Sequence, residues 1–281
     1  MITILQGSDF HFGKPYLSQV EAAFHKTVLE TDPDVIVLTG DFTQRAKIKE
    51  YHQAREFLKK LPDIPTIVTP GNHDVPLYRV HERIFSPLRN YRNYVSADLN
   101  GFTRVGDVVF VDLCSADPYR AIVNGRLSNK QVEFAARIFQ GCSPEDFRIL
   151  VTHHSLFRPD DGGSDNVMPK SSALLARFRK MGIGLILSGH IHRNCVMKLS
   201  SENQIDSTSS ETDSVANASL CENLTIVHCG TTTSNRGRMA EKGKNSLNVL
   251  QISSYDIVVT PHWFEDDPGC FVARASTTIA R

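Results

Sequence analysis

The chain has 281 residues, 41% apolar and 22% charged, which is enough for one large α/β domain or two small ones with a self-sufficient core and speaks against a disordered or fibrous chain. Its 31 basic and 31 acidic side chains cancel, so net charge gives no reason to bind nucleic acid or an anionic membrane, and nucleic acid is not an expected partner. No basic leader or cleavage site opens the sequence, no window approaches the roughly 18 apolar residues of a membrane span, and the six cysteines (Cys114, Cys142, Cys195, Cys221, Cys229 and Cys270) form no CxxC pair, so a soluble cytoplasmic protein with reduced thiols is expected.

In chain order, short β-branched runs at Ile2 to Leu5, Val35 to Thr39, Thr66 to Thr69, Val108 to Leu113, Ile149 to Thr152 and Leu185 to Ser188 read as strands. Helical stripes lie between them over 18–31 (Val20, Ala23, Phe24, Val28, Leu29), 47–60, 128–140 and Leu174 to Met181. This alternation predicts an α/β sheet covered by helices. After Ser188 the helices stop, and Cys195 to Leu199, Leu224 to Cys229, Leu247 to Ile252 and Asp256 to Trp263 predict a second, largely antiparallel sheet. The Ser- and Thr-rich segment 200–219 lies between two of these strands and reads as a mobile hairpin insertion, leaving 1–281 as a single domain.

Five predicted strands end in polar residues suited to metal chemistry. The first runs into Asp9-Phe10-His11, whose alternate side chains point the same way on an extended chain. The second runs into Gly40-Asp41, and the third into Gly71-Asn72-His73-Asp74, where Asn72 offers a neutral oxygen, His73 a proton carrier and Asp74 a partner for that imidazole. The fourth ends in His153-His154 and the fifth in Gly189-His190-Ile191-His192. Taken singly, each has a plain structural reading: a chance DxH, an Asp capping a turn, a buried histidine. Five in succession, at the strand ends where open α/β sheets bind ligands, point to one site. Oxygen and imidazole donors without thiolate suit Mn or Fe, with Zn as a further option.

In this order these segments resemble the calcineurin-like metallophosphoesterase superfamily, whose pattern DxH, GDx, GNHD, H and GHxH is matched across residues 9–192. Phe10 stands where an aliphatic residue is usual, and Ser155-Leu156 replace prolines common in some relatives. The resemblance implies a four-layer α/β/β/α sandwich, two mixed sheets flanked by helices, with a site for two divalent or mixed-valence transition metal ions at the strand C-terminal ends. It further implies Asp9, His11 and His192 on one metal, Asn72, His153 and His190 on the other, and Asp41 bridging. By the same resemblance, His73 stays off the metals as general acid with Asp74 orienting it, and the segment Gly230 to Arg236 borders the substrate. Asn72, His154, Tyr78 and Arg236 are candidate substrate contacts, with Arg238 an alternative to Arg236.

The function expected is hydrolysis of a phosphoric ester, a phosphodiester above all, with a metal-bridging hydroxide as nucleophile. A nucleotide or nucleotide-lipid pyrophosphatase and a phosphomonoesterase are alternatives within the same chemistry. A catalytically silent, metal-stabilised interaction module is the alternative from another class. The expected substrate is a small phosphate ester (a nucleotide, a glycerophosphodiester or a lipid-linked compound), and the oligomeric state is left open.

Overall fold

A computed structural model describes residues 1–120, 122–157, 167–199 and 224–281. In chain order these form β1 (Ile2–Gly7), α1 (Ser18–Thr31), β2 (Val35–Leu38), α2 (Ile48–Leu58), β3 (Thr66–Val68), α3 (Val80–Phe85), α4 (Arg89–Tyr94), β4 (Asn100–Val105), β5 (Val108–Leu113) and α5 (Asn129–Gln140). There follow β6 (Phe147–Val151), α6 (Ser171–Lys180), β7 (Ile183–Ser188), β8 (Cys195–Leu199), β9 (Leu224–His228), β10 (Ser246–Ile252), β11 (Asp256–Glu265), β12 (Cys270–Ala273) and β13 (Thr277–Ala280).

The strands form two mixed sheets. One runs β12-β11-β10-β1-β2-β3, with β13 beside β11, and the other runs β4-β5-β6-β7-β9-β8. The strands after Ser188 therefore do not build a sheet of their own, as their spacing suggests. β8 and β9 join β7, and β10 to β13 return to β1. β9 lies parallel to β7, and β10 antiparallel to β1. The reason is visible in the burial pattern: β9 is buried along its whole length, and β10 at every position but Gln251, so each needs cover on both faces and takes a central place. β8 and β9 do pair antiparallel, with Cys195 opposite His228; the proposed insertion at 200–219 lies outside the described residues.

Between the sheets, Ile4, Val37, Phe110, Ile149, Leu187 and Leu250 interdigitate in a dry layer, each fully buried. Outside the first sheet, α1 and α2 cover a cluster that includes Phe10, Phe12, Phe24, Phe42 and Phe57; outside the second, α5 and α6 cover Val111, Leu150 and Ile186. Helix, sheet, sheet and helix thus stack in four layers. α1 buries Val20, Ala23, Phe24 and Val28 as its stripe predicts, but Leu29 is 71% exposed because it lies one step past that stripe. α5 is capped by Ser128, whose Oγ accepts from the Gln131 N–H while the Gln131 side chain accepts from the Ser128 N–H, a reciprocal cap. α3, α4, β4, β12 and β13 have no counterpart among the predicted elements; α3 and α4 are six residues each, too short for a helical period to register.

The parallel strands β1, β2, β3, β6 and β7 all end at the same rim of the sandwich. The first two stay paired beyond their ends: Asp9 N–H donates to Gly40 O (3.0 Å), His11 N–H to Asp41 O (2.9 Å) and Phe12 N–H to Phe42 O (2.8 Å). At the same level the sheets are tied together by Gln6 Nε2 donating to Ser188 O (3.1 Å) and Asn248 Nδ2 to His228 O (3.2 Å). Among the described residues, no helix is long and apolar enough to cross a membrane.

Candidate metal centre

The loops beyond these strand ends bring the predicted residues together, by a route the sequence does not reveal. Asp9 and His11 are not in extended chain: their φ angles are +53° and +51°, and Asp41 (+53°), His190 (+72°) and His192 (+59°) share the left-handed region. Nine non-glycine residues have positive φ among those described, and five of them are these Asp and His residues. A left-handed non-glycine residue is strained, and such strain persists where the surroundings over-determine it. Here the surroundings are the aromatic rings between the polar residues. Phe10 stacks on Phe42 at 5.5 Å and meets Phe24 edge-on at 6.0 Å, so the intervening side chains are pinned in the core while Asp9, His11 and Asp41 turn to the rim.

Asp41 sits at the centre. One of its oxygens, Oδ2, lies 3.7 Å from His11 Nε2; the other, Oδ1, lies 3.5 Å from His153 Nε2 and accepts the His73 N–H at 2.8 Å. On the first side, Asp9 Oδ1 is 3.0 Å from His192 Nε2 and 3.6 Å from His11 Nε2, and the two imidazole nitrogens are 3.3 Å apart. On the other, Asn72 Oδ1 is 3.3 Å from His153 Nε2, and the His153 ring is 5.2 Å from that of His190. Asp9, His11, Asp41 and His192 form one group whose donor atoms all lie within 4.8 Å of one another, and His153, His154 and His190 form a second.

The donor set fits metal ions. Asp9 Oδ1, Asp41 Oδ2 and His154 Nε2 are buried polar atoms with no hydrogen-bond partner, a costly state unless a cation completes it. Burial drives the His11 and His190 imidazoles down to about 3, so both are neutral at pH 7 and offer a lone pair. Burial opposes ionisation of Asp41 too, but the facing His153, His73 and His11 outweigh it and hold the carboxyl at about 2. Carboxylate oxygens and imidazole lone pairs thus converge on one buried space.

Backbone and hydroxyl groups fix each ring. His153 Nδ1 donates to Thr39 O (2.7 Å) and His192 Nδ1 to Arg236 O (2.9 Å), which turns Nε2 inward in both. Asp9 Oδ2 accepts from Ser8 Oγ (2.6 Å) and from the His190 N–H (2.9 Å). Two glycines allow the loops to close on these groups. A Cβ on Gly71 would lie 2.1 Å from Asp41 Oδ1, and one on Gly189 would lie 1.8 Å from Ser8 Oγ.

Three predicted roles change. Asp74 does not touch the His73 ring; its carboxylate accepts the N–H groups of Phe42 (3.2 Å), Thr43 (2.8 Å) and Gly71 (3.0 Å), clamping the Asp41 loop to the Asn72 loop, and burial with the nearby Asp41 charge pushes it up to about 7. The group that orients His73 is the Gln44 carbonyl, 2.9 Å from Nδ1. His154, expected as a substrate contact, packs beside His153 instead: β6 stops at Val151, the chain bends, and the two rings meet edge-on at 4.8 Å. It is fully buried, held through Nδ1 by Ser115 Oγ at 2.8 Å, and so faces no substrate. The Gly-Thr segment is mainly a brace: Thr231 and Thr233 hydroxyls donate to Asp9 O (2.8 Å) and Phe10 O (2.9 Å), while Arg236 and its alternative Arg238 both reach the pocket.

The pocket over Asp41 holds about 350 Å³ and is lined by Asn72, His73, His190, His192 and Arg236, with Gln44 and Arg45, which carry no motif signal, and with Arg238, Val75, Leu77, Ile122 and Val123. Tyr78 stands outside it, 72% exposed, beneath the Arg45 guanidinium at 5.0 Å.

The profile of the calcineurin-like phosphoesterase family matches residues 2–194. The chain belongs to that family. Its sandwich resembles a purple acid phosphatase from yellow lupin seeds (TM-score 0.69, 14% identity, 100% of this chain and 54% of the other) and the Plasmodium inner-membrane-complex anchor GAP50 (TM-score 0.58, 14% identity, 99% and 88%), a likeness of fold alone. In sequence it is similar to a probable glycerophosphodiester phosphodiesterase of Arcobacter nitrofigilis (35% identity over 81 residues, 25% of this chain) and to a UDP-2,3-diacylglucosamine pyrophosphatase of Chlamydia muridarum (25% over 162 residues, 56% of this chain). The matches span 29% and 43% of those two relatives' lengths.

Proposed function

We propose that this metallophosphoesterase is a phosphodiesterase that holds two transition metal ions, Mn or Fe above Zn. The observation that carries this reading is the position of Asp41, whose two oxygens face separate donor groups, with His11 Nε2 at 3.7 Å on one side and His153 Nε2 at 3.5 Å on the other. Asp9, His11 and His192 would hold one ion, Asn72, His153 and His190 the other, and Asp41 both. When bound, such a pair supplies Lewis acidity toward a phosphoryl oxygen and an activated water at neutral pH.

The remaining work falls to His73 and its neighbours. A carbonyl can only accept, so Gln44 O fixes the proton on His73 Nδ1, and a guanidinium can only donate, so Arg236 Nη1 at 3.2 Å donates to Nε2. The resting ring is therefore neutral, in keeping with the downward push of burial on its pKa. An incoming phosphate anion offers Arg236 a stronger acceptor than an imidazole. Once Arg236 turns to it, Nε2 can take up a proton from solvent and pass it to the departing oxygen, Nδ1 keeping its own on Gln44 O. The two sequence relatives, a probable glycerophosphodiester phosphodiesterase and a UDP-2,3-diacylglucosamine pyrophosphatase, cleave a phosphate ester and a phosphate anhydride by name, which agrees with this reading.

Purified protein loaded with Mn is expected to hydrolyse bis(p-nitrophenyl) phosphate, with activity abolished by chelation and restored by Mn. Absence of turnover with Mn, Fe or Zn on diester, monoester and pyrophosphate substrates would overturn the proposal.

A further inference from the structure

A second cleft, of about 990 Å³, opens beside the metal pocket and shares Gln44, Arg45 and Arg236 with it. Its walls carry Lys14, Arg45, Lys47, Lys49 and Arg236 against one carboxylate, Glu50. In a chain whose charges cancel overall, this is a local concentration of positive charge. Glu50 does not neutralise it. It is 3% exposed, and its Oε2 accepts the N–H groups of Arg45 (2.8 Å) and Lys47 (3.2 Å), so it is spent on the turn that leads into α2. The two arginines are engaged, Arg45 on Tyr78 and Arg236 on Gln44 and His73. The three ammonium groups have no partner among the described residues.

The ridge between pocket and cleft is made of the residues that hold His73. Gln44 accepts at its Nδ1 and Arg236 donates to its Nε2. If His73 delivers the proton to the leaving oxygen, the leaving group departs across this ridge and into the basic cleft. We infer that Lys14, Lys47 and Lys49 form an anion subsite for the leaving group, so that the preferred substrate is a diphosphate diester from which a phosphate monoester is expelled. In that reaction a water oxygen bonds to one phosphorus, the bridging P–O bond breaks with its electron pair going to the leaving phosphate, and the two protons of water pass to the products and solvent. The inference rests on the phosphodiesterase reading for the direction of departure, and on the cleft alone for anion binding.

The test pairs hydrolysis with binding. Three substrates are compared on the Mn-loaded parent and on the Lys14→Ser/Lys47→Ser/Lys49→Ser variant: bis(p-nitrophenyl) phosphate, the p-nitrophenyl ester of adenosine monophosphate, and diadenosine diphosphate, which alone expels a phosphate monoester. The variant is expected to lose about 30-fold in kcat/KM on diadenosine diphosphate, near threefold for each exposed ammonium–phosphate pair, and less than twofold on both nitrophenyl esters. A parent that cleaves the nitrophenyl esters but not diadenosine diphosphate, or a variant that loses equally on all three, would overturn the subsite while leaving the phosphodiesterase reading in place. Calorimetric titration of metal-free protein with adenosine monophosphate, and with adenosine as control, reads the subsite without catalysis. Nucleotide binding weakened about tenfold in the variant supports it even if no substrate turns over, and equal binding by parent and variant refutes it.

Discussion

The floor and the rim of the metal pocket are built in opposite ways. On the floor, Asp9, His11, Asp41 and His153 are fully buried, and loop hydrogen bonds and a stack of phenylalanines hold them. Beyond Leu77, where the rim passes into α3, that helix buries none of its residues, and Val80, Ile84 and Phe85 are 53%, 46% and 72% exposed. Tyr119 touches α3 through a single hydrogen bond from its hydroxyl to Ile84 O at 3.0 Å. A floor that pays for its geometry in folding can present ligands without reorganisation, whereas a rim that packs on little is free to fit what arrives.

The largest loss is expected at the centre of the floor. Asp41→Ala removes the group common to both donor sets, and activity on bis(p-nitrophenyl) phosphate should fall beyond about 10³-fold, with metal content by elemental analysis dropping from two ions per chain toward one or none. Retention of two ions would contradict the bridging role. His73→Ala should lose about 10²- to 10⁴-fold in kcat on an alkyl diester with a poor leaving group and much less on a nitrophenyl ester, whose departing oxygen needs no proton, while two metals stay bound. An equal loss on both would remove His73 from the proton transfer.

Supporting residues come next. Ser8→Ala deletes the 2.6 Å hydrogen bond to Asp9 Oδ2, and about 10- to 100-fold weaker metal affinity is expected in a competition titration, with folding intact. Phe10→Ala should instead act through the fold. Emptying a fully buried ring site costs about 3–5 kcal/mol, read as a lower denaturation midpoint, and the released Asp9 and His11 should weaken metal binding as well. If stability falls while metal affinity does not, the aromatic stack does not set the ligand geometry.

This ordering explains what the sequence made legible. The donors of the floor are written as short motifs because each must stand at a strand end, and strand ends were readable from apolar runs such as Val35–Leu38 and Ile183–Ser188. The left-handed backbone at Asp9 and His11 was not, since no glycine marks it. Gln44 was not, because it acts through its carbonyl oxygen, which every residue possesses. The place of Asp74 is not legible because adjacency to His73 in sequence suggests contact, while its carboxylate turns instead toward the 41–43 loop, 31 to 32 residues earlier. The sheet that β8 to β13 join is not legible either, because period-two patterns give the inward face of a strand but not its neighbours.

The smallest effect is expected at the rim, where it separates the two regions most cleanly. Val80→Ser with Phe85→Ser replaces two apolar side chains that are 53% and 72% exposed, and surface changes of this kind alter stability by less than about 0.5 kcal/mol. Metal content should be unchanged, since neither residue lies on the floor. Bis(p-nitrophenyl) phosphate is small enough to sit within the pocket of about 350 Å³, so its kcat/KM should move less than about twofold. For a substrate with an apolar arm long enough to reach from Val75 and Leu77 in the pocket to α3, the same double substitution should raise KM severalfold with kcat unchanged, because the contact is present equally in ground and transition states. A matching drop in kcat would mean that α3 helps to position the scissile group, and that the rim is as much a part of the catalytic geometry as the floor.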